Sequence, residues 1–104
     1  MIKLKYIMFE ACIGGGSGVK RRIPILFFEP LTHVGMYRTV MYSRIEELPR
    51  DSELVSAGFV TMQGVKVQCF GESESLKHER LPHVPLPDDA GIIQAHNYFH
   101  GIVP

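Results

Sequence analysis

The sequence predicts an α+β domain: an antiparallel sheet built from two hairpins, with one or two helices packed on one face, in the order β-β-α-β-β-α. Three observations carry that prediction. Residues 2–12 and 19–29 are strand-like runs separated by a glycine stretch. ELVSAGFVTM and VKVQCFGE form a second pair of β-rich runs, joined at Gln63-Gly64. Apolar residues recur at helical spacing in two further segments, one between the hairpins and one near the end of the chain.

Each element has its own signal. Ile2, Leu4, Tyr6 and Met8 alternate with Lys3 and Lys5, and then with Ile7 and Phe9. A strand with one buried face thus becomes one buried on both. Residues 19–29, VKRRIPILFFE, contain Pro24, which has no N–H to donate to a ladder, so this is an edge strand or a bulged one. Thr32 is placed to cap a short helix in which Val34, Tyr37, Val40 and Met41 share a side. Residues 43–52 read as a polar connection punctuated by Pro49.

In the second hairpin, Gly64 supplies the positive φ that a tight turn needs. Val55, Ala57 and Phe59 are expected on one side of its first strand, with Val65, Val67 and Cys69 on one side of its second. Gly58 and Gly71 mark bulges or close backbone approaches. Residues 71–76, GESESL, read as an extended, solvated rim, and residues 76–87, with three prolines, as an extended surface linker. Asp88 or Asp89 then caps a helix, DDAGIIQAHNYFHG, closed by Gly101.

Bulk properties bound the function. A chain of 104 residues, 45% hydrophobic, is expected to form one domain (1–104) with an ordinary core. Formal net charge is zero, which gives no global pull toward nucleic acid or an anionic membrane. Residues 1–38 nevertheless carry six Lys/Arg against Glu10 and Glu29, while the remainder is acidic on balance. No apolar run reaches the roughly 18 residues of a membrane span, and the N-terminal segment lacks a signal-peptide pattern. With two isolated cysteines and no CxxC, the expected location is the cytoplasm.

The segment ACIGGGSGVKRRIP concentrates the ligand-binding candidates: Gly14, Gly15, Gly16, Ser17, Gly18, Lys20, Arg21 and Arg22. Such a loop can hold an anion through backbone N–H groups and the three cations. It is not a P-loop, because Val19 follows Gly18 and no Ser/Thr follows Lys20, and it contains no G-x-G-x-x-G. A solvated hairpin tip is the simpler reading. His96 and His100, four apart on the expected last helix, are the metal-ligand candidates, although the Glu of HExxH is missing. Ser17 fails GxSxG at its last position, and Cys12 and Cys69 sit in strand-like runs where a thiol is usually a small hydrophobe.

The stretches LVSAGFVTM and GVKVQCFGESESL resemble a segment of small uncharacterised proteins of bacteriophages, over about a quarter of the chain (residues 54–76). That resemblance implies a phage-related source and a small binding or accessory role, and it assigns no catalytic residue. The overall expectation is a small binding protein without catalysis or cofactor, which self-associates or binds a protein partner. The alternatives are a phosphorylated small molecule or nucleotide at residues 14–22, or a metal-dependent enzyme using His96 and His100.

Overall fold

The computed structural model of the chain describes residues 2–13, 19–43 and 51–96. Strands β1 (Ile2–Ile13), β2 (Val19–Phe27), β3 (Glu53–Gln63) and β4 (Lys66–Phe70) form one antiparallel sheet in the order β2-β1-β3-β4. Helix α1 (His33–Ser43) lies between the hairpins in sequence, and α2 (Glu74–His78) and α3 (Asp89–Ala95) follow β4. The α+β class and the two-hairpin sheet are as the sequence predicts, with the short α2 in addition.

β1 is central because its residues are apolar on both sides. Leu4, Tyr6 and Met8 pack with Val60, Met62, Val67 and Ile93, so this face is covered by α3. Ile7 and Phe9 pack with Phe27, Val40, Leu54, Ala57 and Leu76, so the opposite face is covered by α1 and α2. The helices therefore cover both faces rather than the one expected, since a strand buried on both sides needs a layer above and a layer below. β2 is an edge strand, and its pairing with β1 runs through Met8↔Pro24, as the proline requires.

Two corrections concern β3. Between Met8↔Ser56 and Phe9↔Leu54 the register shifts, leaving Val55 as an extra residue. This bulge flips the alternation, so Val55 packs with the α3-side core while Ala57 belongs to the other. The expected grouping of Val55 with Ala57 and Phe59 fails for that reason. At the hairpin, Gln63↔Lys66 is the last pair, so the turn is Gly64-Val65, with Gly64 at φ 61° and Val65 exposed.

Two more concern the helices. The GESESL segment is not extended: the Ser73 hydroxyl accepts the Leu76 N–H at 3.2 Å, capping α2 and directing Leu76 into the core. The proline-rich residues after α2 are more than a linker. The Ala57 N–H donates to Val84 O (3.3 Å) and the Ser73 N–H to His83 O (2.8 Å), so this segment is tied by one backbone hydrogen bond to β3 and by one to the cap of α2. Gly58 makes that fit, because a Cβ there would lie 2.8 Å from Phe70 O and 2.9 Å from Pro85 Cγ. Thr32 does cap α1, its hydroxyl accepting the Gly35 N–H at 3.0 Å.

Candidate functional site

The three cations singled out in the sequence fall on one cleft. Lys20, Arg21 and Arg22 come from the start of β2, and Glu10 from the facing part of β1. Asp88, Ile92, Ala95 and His96, from the beginning and end of α3, complete a cleft of about 690 Å³. Local register explains the charge arrangement. Glu10 lies directly opposite Arg22, and Lys20 stands two residues away along β2, so one carboxylate is shared by two cations. The distances are 3.4 Å to Arg22 Nε and 3.6 Å to Lys20 Nζ. Arg21 completes the basic lip, and its charge, after partial burial, helps hold His96 below its usual pKa. Cations outnumber carboxylates along the lining, and Ile92 and Ala95 supply an apolar wall.

Beneath the cleft runs a buried polar chain. Asp89, fully buried, receives the Tyr6 hydroxyl at Oδ2 (2.7 Å) and the Leu86 N–H at the same oxygen (2.9 Å). The second contact ties the first residue of α3 back to the segment that precedes the helix, while the N-cap Asp88 makes no side-chain hydrogen bond to the helix end. Its other oxygen, Oδ1, has no hydrogen-bond partner among the described residues and faces Arg22 Nη1 at 4.0 Å. Arg22 thus bridges Glu10 in the cleft and Asp89 below it. Burial first, and then the Asp89 hydrogen bond, pushes the Tyr6 phenol far above its ordinary pKa. Burial likewise pushes the neighbouring Cys69 thiol up to about 11. Both groups are neutral at pH 7, and Cys69 is a poor nucleophile in that state. The other cysteine, Cys12, is exposed rather than buried.

His33 is the remaining buried titratable group. Its Nε2–H donates to Gly58 O at 2.7 Å, and its ring stands edge-on between Phe27 and Phe59, with centroids 5.3 Å from each. Burial lowers its pKa, so it is a neutral packing group.

The other sequence candidates divide as follows. Gly14, Gly15, Gly16, Ser17 and Gly18 lie outside the described residues, as does His100. α3 ends at Ala95, short of the Gly101 expected, and His96 is its C-cap in extended backbone (φ −78°, ψ 143°). The helical i, i+4 spacing that paired His96 with His100 is therefore interrupted at His96 itself. Among the described residues, no group of three or more His, Cys, Asp or Glu is placed to hold a metal ion. No helix among them is long and apolar enough to cross a membrane.

Sequence reasoning missed Tyr6 and Asp89 as a pair, since 83 positions separate them. The available signal was the tyrosine itself, because a hydroxyl on an otherwise apolar strand face needs a buried partner. Comparison of the chain with known proteins finds no matching family model, no matching curated protein and no matching solved structure.

Proposed function

We propose that this protein is a binding domain whose ligand is a small phosphorylated molecule, seated in the cleft between the β1–β2 hairpin and α3. One observation carries the reading: Lys20, Arg21 and Arg22 converge with His96 on a single cleft that also has an apolar wall. Cationic side chains there suit a phosphate, and Ile92 and Ala95 suit the body that bears it. Binding rather than chemistry is supported by the neutral, packed state of Tyr6, Cys69 and His33.

The test is thermal unfolding with nucleoside diphosphates and sugar phosphates. A true ligand at a hundred times its Kd stabilises the fold by about 2.7 kcal/mol. The control is a Lys20→Ala/Arg21→Ala variant, because Arg22 also faces the buried Asp89 and its loss would disturb folding. Stabilisation lost in the double variant supports the cleft; no stabilisation by any phosphate ester overturns it.

A second reading, a protein partner or a second copy of the chain, is favoured by Phe28 and Leu31, which stand 62% and 47% exposed just after β2. Light scattering during size-exclusion chromatography reads the self-association arm. A concentration-dependent dimer that Phe28→Ser abolishes supports it, and a monomer at all concentrations excludes the second copy.

A further inference from the structure

On the sheet face that carries α1, no described element covers one end, and what stands there differs in kind from the cleft. Cross-strand register places Lys5, Phe59 and Phe70 in one row, and Lys3, Thr61 and Gln68 in the next. Lys66, two residues from Gln68, projects from the same side of β4. α1 begins at His33, whose ring packs on Phe27 and Phe59, and among the described residues Lys3, Lys66, Gln68 and Phe70 in the rows beyond it are all exposed.

The two phenylalanines form a stacked pair, with centroids 5.9 Å apart and planes 27° apart. Lys3 Nζ stands 5.2 Å from the Phe59 centroid and 5.7 Å from that of Phe70. Gly71, at φ 77°, lies against Phe59, since a Cβ there would come within 2.8 Å of its ring. Phe70 is therefore the ring of the pair that meets solvent, at 41% exposure. These two rows contain no carboxylate of their own; Glu29 approaches them at Lys5, 3.7 Å from its Nζ and at the end of the row away from Phe70.

The geometry points to a stacking platform for single-stranded nucleic acid on this face, with a base laid on Phe70 and the flanking phosphates met by Lys3 and Lys66. Phe70 is partly exposed with Lys3 beside it, polar and cationic side chains stand in the neighbouring row, and a sheet displays these groups at strand spacing. Single strands are recognised by this combination, because every base has a face to stack and every link carries a charge. A free phosphate would leave the aromatic pair unused. A neutral apolar partner would leave the lysines unused. The platform is independent of the phosphate-ester cleft, which lies on the opposite face beside α3 and uses none of these residues.

The experiment is a fluorescence-anisotropy titration of labelled twelve-nucleotide oligo-U and oligo-dT, at low and at moderate salt. Saturable binding that weakens as salt rises is the expected result. Gln68→Glu places a negative charge in the middle of the platform without altering the core, and is expected to weaken binding about tenfold or more. Phe70→Ala is expected to weaken it by about tenfold through lost stacking. Circular dichroism checks that each variant is folded, and Gln68→Glu carries the decision if Phe70→Ala is not. The Lys20→Ala/Arg21→Ala variant is expected to bind the oligonucleotides as the parent does. The proposal is overturned by absence of saturable binding, by unchanged affinity in Gln68→Glu, or by loss in the cleft variant. Equal binding of inorganic polyphosphate per charge also overturns it, since that outcome means charge alone without stacking.

Discussion

A buried hydrogen bond of 2.7 Å ties Tyr6 of β1 to Asp89 of α3, alongside the packing of Ile93 on the same strand face. Tyr6→Phe keeps the ring and removes the donor, leaving a buried carboxylate oxygen with one partner fewer. That change is expected to destabilise the fold by about 1–3 kcal/mol, read from urea unfolding. Ser56 gives the opposite expectation. Its hydroxyl is buried with no hydrogen-bond partner among the described residues. Ser56→Ala is therefore expected to be neutral or stabilising by up to about 1 kcal/mol in the same assay. His33 sets a pH dependence. Burial lowers its folded-state pKa, so below the ordinary histidine value of about 6.5 the unfolded chain takes up a proton that the folded chain resists. Its contribution is intact above that value and is lost as pH falls through it toward the lower folded value. Stability curves across that window, compared with those of His33→Gln, isolate the effect; a parallel loss in the variant would assign it elsewhere.

At the level of the elements, what was legible in the sequence was what neighbouring residues decide. The two-sided burial of β1, the edge position implied by Pro24 and the cap at Thr32 are local patterns, and all appear in the fold. The Val55 bulge was not legible, because the run Val55-Ser56-Ala57-Gly58 has small or apolar residues at every position and suits either parity. α2 was hidden for another reason. GESESL has the composition of a rim, and a turn of helix forms there because Ser73 can cap it while Leu76 finds the core. Ser73→Ala is accordingly expected to cost about 1 kcal/mol, with protection lost first in α2 by hydrogen exchange. Gly58→Ala tests the seam between β3 and the proline-rich segment. Its Cβ would strike Phe70 O and Pro85 Cγ, so an expected loss of about 1–3 kcal/mol should appear in thermal unfolding. The cleft was half visible: its cations are consecutive in sequence, whereas Glu10, Ile92 and His96 join them only through register and helix docking.

Across the whole molecule, β1 is the element on which the rest depends. It pairs on both edges, with β2 and with β3, and is buried on both faces. Its amides are expected to exchange with solvent most slowly, near the rate of global unfolding, and those of β4 faster. Mass-resolved hydrogen exchange tests this directly, and equal protection of β1 and β4 would contradict it. The two candidate surfaces lie on opposite faces of this one strand, which is why a net charge of zero concealed both. A sum over the chain carries no information on how charges group on its surfaces, and here three consecutive cations line one face while Lys3 and Lys66 stand on the other. Pro24 has a consequence on the same scale. An open strand of nine residues would ordinarily be a template on which a second chain, and then a third, could deposit in amyloid-like fashion. The proline divides β2 into Val19–Ile23 and Ile25–Phe27, so an arriving chain meets a missing donor before a long ladder can grow. The residue that marks the sheet's border is thus also placed to stop strand-by-strand growth from that edge, so Pro24→Val is expected to raise fibril formation in a thioflavin assay.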